Sequence, residues 1–137
     1  MPTTSELTAK FISTLSDKDL EGLGAMGCES MAFITPDYDG TGGKTFSEYL
    51  SKWTGGFPDY VLEAGPIISE GNRSAFTWMF RGTNTGPLEP GDGTSLPATN
   101  KRVEVGVSGW ATWNGDQLTE SAYYWDQLAI FQQLGLA

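Results

Sequence analysis

The second half of the chain constrains the fold most, because it contains long runs with strand character that are separated by turn signals. Strands are predicted over residues 60–68, 73–83, 102–113 and 117–126. A turn at Glu70–Arg73 joins the first two strands. Asn114–Gly115 joins the last two, and this dipeptide is typical of a type I′ hairpin turn. Strands that are joined in this way run antiparallel, so the region predicts a meander.

The first half of the chain shows helical periodicity instead. Apolar residues at helical spacing predict a first helix over residues 5–15. Ser16 is predicted to cap a second, shorter helix, and Thr45 to cap a third. A short strand over residues 31–35 and a Gly-rich loop over residues 37–43 separate the second helix from the third.

Helices that are followed by long antiparallel strands predict an α+β fold. We expect three N-terminal helices packed on one curved, mostly antiparallel sheet. The chain has 137 residues, which is the size of one domain, and no linker, repeat or low-complexity segment divides it. The prediction is therefore a single domain over residues 1–137.

The charge balance argues against two classes of partner. Eight Lys and Arg residues oppose 17 Asp and Glu residues, which gives a formal net charge of −9. Nucleic acids and anionic membrane surfaces both require clustered basic side chains, so we expect neither as a partner.

The sequence also favours a cytoplasmic protein. The N-terminal residues lack a basic region followed by an apolar run, and no apolar stretch approaches the length that spans a membrane. With a single cysteine, Cys28, no intrachain disulfide can form, which fits a reducing compartment.

The chain has no histidine, and this limits its chemistry. Ser-His-Asp and Cys-His catalysis are excluded. Zinc, copper and non-haem iron mostly need imidazole or several thiolates, so we expect no metal and no cofactor. Acid–base chemistry would have to use carboxylates, Tyr, Lys or water.

Several short motifs occur in an order that resembles a known family. After the N-terminal helices come Phe57–Asp59, Glu70–Arg73, Phe80–Gly86, Pro97–Lys101, Asn114–Gly115, Tyr123–Asp126 and Gln133–Gly135. Over nearly its whole length the chain resembles the SnoaL-like polyketide cyclases, within the ketosteroid-isomerase-like (nuclear-transport-factor-like) superfamily. The resemblance implies a cone of the cystatin-like α+β barrel type with an apolar pocket. It also implies a homo-oligomer, a dimer or tetramer, and cofactor-free ring closure, isomerisation or dehydration of small natural products.

The resemblance suggests three catalytic residues. Asp126 matches the strand-terminal aspartate that serves the family as general acid/base. Asn84 stands where many members have a histidine, so a mechanism that pairs His with Asp cannot transfer intact. A desolvated Asp126 could remove a proton alpha to a carbonyl, while Tyr124 or Asn84 holds the enolate oxygen. The alternative is a structural Asp126 that accepts hydrogen bonds from the segment after the strand.

Further candidates could bind the substrate or supply a second carboxylate. They are Trp53, Phe57, Trp78, Phe80, Trp110, Glu104 and Glu120. Each has a plainer interpretation as a packed aromatic or as a solvated charge. Asp37 and Asp39, in the loop after the first strand, could reach a ligand at the mouth of a cone, but they are interpreted as solvated loop residues.

Three functions remain open from the sequence. The leading hypothesis is a small cofactor-independent cyclase or isomerase that acts on an apolar, oxygenated, polyketide-like intermediate, with Asp126 as general acid/base. The second is a non-catalytic module of the same fold for ligand binding or oligomerisation. The third is a hydrolase of the epoxide-hydrolase type. An exposed Asp126, or a cone filled by aromatic side chains, would argue against the enzyme.

Overall fold

The computed structural model of the chain describes residues 2–137. Within these residues lie four helices and six strands. In chain order they are α1 Thr4–Ser16, α2 Leu20–Ala25, β1 Gly27–Ile34, β2 Asp39–Thr41, α3 Gly43–Thr54, β3 Val61–Glu70, β4 Arg73–Thr83, β5 Arg102–Asn114, β6 Gln117–Tyr124 and α4 Gln127–Gln133.

The six strands form one sheet in the order β2-β1-β6-β5-β4-β3. Neighbouring strands are antiparallel except β1 and β6, which run parallel. The sheet curves but stays open, with β2 and β3 as its edges. The predicted α+β fold, with N-terminal helices packed on a curved and mostly antiparallel sheet, is confirmed.

The helices begin at other residues than the sequence predicts. Asp19, not Ser16, caps α2, because its carboxylate accepts the amide of Gly22 at 2.9 Å. Helix α3 begins at Gly43 and not at Thr45. A Cβ at Gly43 would lie only 2.1 Å from the Gly24 carbonyl oxygen, so the start of α3 packs directly on the backbone of α2. A side chain at residue 43 would prevent this close approach of the two backbones.

An irregularity in the last hairpin changes which residues share a face. The pairing of β5 with β6 shifts in register between Thr112 and Trp113. Leu118 therefore packs in the core at 1% exposure, while Glu120 lies on the outer face beside Arg73. Strict alternation along β6 would have placed Leu118 and Glu120 on one face, and the bulge is the reason that it does not.

The core lies between the helices and the inner face of the sheet, and aromatic rings dominate it. The ring of Tyr123 on β6 stacks on Phe46 of α3 at 5.4 Å and on Phe11 of α1 at 6.3 Å between centroids. Phe76 and Trp78 of β4 contact the same tyrosine ring. In the described part of the chain, no helix is long and apolar enough to cross a membrane.

Candidate ligand-binding site

A cavity lies between the helices and the inner face of the sheet. Its lining consists of Leu15, Thr35, Phe46, Leu50, Trp53, Thr54, Phe57, Tyr60, Leu62, Trp78, Phe80, Val103, Val105, Val107, Tyr123, Trp125 and Ile130. The cavity volume is about 80 Å³. One buried water needs about 10–15 Å³, and pockets for drug-sized ligands measure about 300–1,000 Å³. As it stands, the cavity holds a molecule of a few heavy atoms, and a larger ligand would have to displace side chains.

The wall of this cavity is apolar and aromatic. Among the described residues that line it there is no Asp, Glu, Lys or Arg. Its titratable groups are the phenols of Tyr60 and Tyr123. Burial raises the pKa of Tyr60 to about 12 and raises that of Tyr123 further, while the nearby Ser121 hydroxyl opposes the second shift. At neutral pH both phenols therefore stay protonated and cannot act as bases.

Four of the predicted substrate-binding residues line the cavity: Trp53, Phe57, Trp78 and Phe80. Trp53 and Phe57 come from the end of α3 and the turn after it, while Trp78 and Phe80 come from β4. Alternation along β4 brings both of its aromatics to the inner face. Phe57 and Phe80 meet edge to face, with centroids 5.4 Å apart.

Asp126 is not on the cavity wall, so that part of the prediction is wrong. Strand β6 ends at Tyr124, and Asp126 is the N-cap of α4, where its Oδ1 accepts the amide of Ala129 at 2.9 Å. The first amides of a helix lack intrahelical acceptors, and an aspartate at this position supplies one. The side chain is exposed, while its neighbour Trp125 turns into the cavity.

Tyr124 and Asn84 are also outside the cavity lining. Tyr124 is 51% exposed. Asn84 is 1% exposed, but its amide is committed to the backbone: Nδ2 donates to the carbonyl oxygens of Gly56 and Gly86 at 2.9 and 3.0 Å, and Oδ1 accepts the amide of Thr99 at 2.8 Å. Asn84 therefore holds two loops together, which is a structural role.

The remaining candidates lie on the outer face of the sheet. Glu104 pairs with Arg81 at 3.3 Å, and Glu120 with Arg73 at 3.7 Å. The guanidinium of Arg73 also lies over the ring of Trp110, 5.5 Å from its centroid. The prediction that Trp110, Glu104 or Glu120 faces the pocket is wrong, because the sheet turns their side chains away from the helices.

Asp37 has a structural role that the sequence analysis missed. It is half-buried, and its carboxylate accepts hydrogen bonds from the Tyr49 hydroxyl, from Trp53 Nε1 at 3.1 Å and from the Gly91 amide at 2.7 Å. The Thr35 hydroxyl adds a fourth contact at 3.2 Å. Tyr49 and Trp53 are one helical turn apart on the buried side of α3, and buried Tyr and Trp need partners for their polar ends. That spacing is the signal that could have identified Asp37.

The bonds of Asp37 position part of the cavity lining. One carboxylate fixes the indole of Trp53, which lines the cavity, and ties down the long loop between β4 and β5 through Gly91. Burial, together with the bond to Asp37, raises the pKa of Tyr49 well above its ordinary value, so this phenol stays a donor.

The fold and the cavity together define a class of protein. Helices that cover one face of a curved, open sheet around an apolar cavity form the ketosteroid-isomerase-like cone. A protein of this fold from Catenulispora acidiphila DSM 44928, solved in complex with trimethylamine, superposes with a TM-score of 0.79 at 13% identity, over 98% of this chain and 96% of that one.

Within that class, the chain belongs to the SnoaL-like polyketide cyclase family, whose model matches residues 6–134. TsrD from Streptomyces laurentii is similar in structure, with a TM-score of 0.79 at 20% identity over 97% of this chain and 95% of that one. IdmH from Streptomyces antibioticus, a proposed polyketide cyclase, gives 0.75 at 19% identity over 98% and 99%. At sequence identities of 13–20%, the similarity to these solved structures shows a shared fold and nothing more. No curated protein matches the sequence significantly.

Within residues 2–137 there is no group of three or more His, Cys, Asp or Glu residues that could hold a metal ion.

Proposed function

We propose that this chain binds a small, largely apolar and oxygenated molecule in the aromatic-walled cavity. The observation that carries the proposal is the composition of the wall, because a concave surface of Trp, Phe, Val and Leu side chains gains free energy by covering apolar surface. Membership in the SnoaL-like family supports a polyketide-like intermediate as the class of ligand.

Cyclisation or isomerisation of that ligand, without a cofactor, is the second candidate function. The family match favours it. Because the described lining of the cavity has no Asp, Glu, Lys or Arg, catalysis would depend on the shape of the cavity. A cavity that folds a flexible ligand brings the reacting atoms of that ligand together. An acid–base role for Asp126 stays a prediction, and it would require the carboxylate to leave its position at the start of α4.

Epoxide hydrolysis has less support. It needs carboxylates around a water, whereas the described lining offers none. Arg81, a basic residue on β4, pairs with Glu63 and Glu104 on the outer face of the sheet.

A binding experiment tests the primary proposal. Uncharged cyclic ketones, lactones and hydrocarbons of about six to ten heavy atoms are titrated into the labelled protein, and amide and indole N–H shifts are followed by NMR. We expect shifts at Trp53, Trp78 and Trp125, which line the cavity. Shifts confined to exposed residues would contradict the proposal.

A filled cavity provides the matched comparison. Val105 lines the cavity at 8% exposure, so Val105→Trp should abolish the shifts. Val61, 55% exposed on edge strand β3, is the control position, and Val61→Trp should leave binding unchanged. Overpacking costs about 1–3 kcal/mol, so thermal unfolding has to show that both variants are folded.

Turnover can be tested separately with a linear poly-β-keto thioester as the probe. We expect mass spectrometry to detect loss of water or a change in retention that buffer alone does not produce. Val105→Trp should suppress that product. If Asp126→Asn also suppresses it in a folded protein, the acid–base hypothesis gains support; if wild-type rates remain, that hypothesis fails.

A further inference from the structure

The surface of the cavity is formed by carbon atoms. Among the described residues that line it, no oxygen or nitrogen atom is exposed to the cavity. Ligand pockets in proteins usually combine apolar walls with a few polar groups that hold the ligand in one orientation. A cavity without such groups has to select its ligand by shape and by the absence of polar atoms.

The side chains of the lining direct their polar atoms away from the cavity. Seven of them carry an N–H or O–H group. Those of Trp78 and Tyr123 are not exposed to the cavity. The other five donate to an oxygen atom of the protein: Thr35 to the Tyr38 carbonyl, Trp53 to Asp37, Thr54 to the Leu50 carbonyl, Tyr60 to the Leu15 carbonyl and Trp125 to Gln127. The described lining therefore offers a ligand no hydrogen bond from a side chain.

The backbone of the sheet wall is occupied as well. Strands β4 and β5 pair without interruption, from Arg73 opposite Thr112 to Thr83 opposite Arg102. Backbone amides and carbonyls in a sheet point along its plane toward the neighbouring strands. The surface that these two strands present to the cavity therefore consists of side chains.

Such a cavity is a poor site for water and for an oxygen atom of a ligand. A buried water needs two to four polar partners, and a cavity of about 80 Å³ has the room for water but exposes none of these partners. A ligand oxygen in this place would lose its hydrogen bonds to water and gain none, which weakens binding about five- to 150-fold. A hydrocarbon group carries no such penalty and gains free energy by leaving water.

We propose that the cavity takes a short alkyl or aryl group and that the oxygen atoms of the ligand stay outside it. This inference rests on the binding function proposed above and names the part of the ligand that the cavity selects. In a polyketide-like ligand, that part is a hydrocarbon end of the chain beyond its last oxygen. Between two probes of equal shape, the cavity prefers the one without a heteroatom.

The test compares toluene with phenol, which have similar shapes and differ in a methyl and a hydroxyl group. Dissociation constants are measured by NMR titration of the whole chain, and their ratio is compared with the ratio of the octanol–water partition coefficients of the two probes. Octanol forms hydrogen bonds, so its ratio is the reference for a site with a polar contact. We expect the preference of the wild type for toluene to exceed the octanol ratio by about tenfold.

The two ways in which this experiment can fail are distinguishable. If both probes bind and the preference for toluene is no greater than the octanol ratio, the hydrocarbon inference is wrong while the binding function stands. If neither probe shifts the N–H signals of Trp53 and Trp125, the binding function fails and the inference fails with it.

A hydroxyl group placed in the lining gives the matched comparison. Val105→Thr replaces a methyl group of a lining residue that is 8% exposed, and the new hydroxyl can pair with phenol. The preference for toluene should therefore fall about threefold or more. Val61→Thr, the same change at a residue that is 55% exposed on edge strand β3, should leave the preference unchanged.

A second lining variant covers the case in which Val105→Thr does not fold. Val107 also lines the cavity, at 6% exposure, and Val107→Thr should lower the preference for toluene in the same way. Thermal unfolding shows which of the variants are folded. A preference for toluene that stays at the wild-type value in a folded lining variant would overturn the inference.

Discussion

At the scale of single residues, Asp37 positions part of the cavity lining, because its carboxylate holds the indole of Trp53. Its carboxylate joins three parts of the chain: the turn between β1 and β2, helix α3 through Tyr49 and Trp53, and the loop after β4 through Gly91. These donors are buried or half-buried, so they could not easily find another acceptor if the Asp37 carboxylate were removed. The position of Trp53 in the cavity lining depends on this arrangement.

Asp37→Ala should therefore destabilise the protein by about 2–4 kcal/mol, because it leaves buried donors without an acceptor. Chemical denaturation measures the change. Asp39→Ala is the matched control, since Asp39 is an exposed carboxylate two residues away, and its effect should stay within about 0.5 kcal/mol. Equal effects of the two substitutions would refute a special role for Asp37.

Asp126 allows a second prediction at this scale. Asp126→Ala removes the cap of α4 and should cost about 1 kcal/mol of unfolding free energy. Asp126→Asn should cost almost nothing, because Asn caps helices about as well as Asp. The two variants are compared by urea denaturation. A loss as large for Asn as for Ala would show that the negative charge matters more than the hydrogen bond.

At the scale of elements, the outer face of the sheet carries a row of apolar residues across five strands. The register places Ile34, Ala122, Trp110, Ala75 and Ile68 directly beside one another. An apolar row on an open face of a sheet could form part of an interface between two copies of the chain. Ile68 is 72% exposed and Ile34 44% exposed, so the ends of the row are open to contact.

A homo-oligomer, which the family resemblance implies, stays a prediction, and we expect it to use this row. Ile68→Glu should weaken association by more than tenfold, because it places a charge in an apolar contact. Light scattering after size exclusion measures the mass. Val61→Glu changes an exposed residue of the same edge strand outside the row and should leave the mass unchanged. A monomeric wild type, or equal effects of both variants, would contradict the expectation.

At the scale of the whole molecule, stability should vary little between about pH 6 and pH 8, because the chain has no histidine. On the acid side, Asp59 accepts the Thr83 amide at 2.7 Å, and this bond lowers the pKa of its carboxyl. A lowered pKa gives stability that is present above the unfolded-state value of about 4 and is lost as the pH falls below it.

On the alkaline side, stability should fall as the pH rises, because of the buried tyrosines. The pKa of Tyr60 is raised to about 12, and those of Tyr49 and Tyr123 are raised as well. Stabilisation from a raised pKa is complete below the unfolded-state value of about 10 and is lost as the pH rises toward the folded-state value. We expect the denaturation midpoint to fall steeply above about pH 10. Tyr60→Phe should make that fall shallower, and an unchanged slope would contradict the assignment.

Most of the fold could be predicted from the sequence, because periodicity and turn residues act locally. Strand β4 has the predicted bounds, Arg73–Thr83, and the Asn114–Gly115 turn joins β5 and β6 as expected. Of the candidate site, the aromatics at the end of α3 and on β4 line the cavity as predicted. Asp126 was misplaced, since strand character alone does not show that β6 stops at Tyr124 and that a helix follows.

The sequence by itself determined the α+β class, the family and the absence of imidazole chemistry, because composition and local spacing are properties of the chain. Only the tertiary structure decided which groups face the cavity. The bulge between β5 and β6 determines which side chains of β6 face the core. Asp126 caps the start of α4 and does not face the cavity. Packing against Phe46 buries Tyr123, whose hydroxyl remains without a partner in the described structure. Contacts between segments that are distant in the sequence determine these side-chain positions, so no local sequence pattern could predict them.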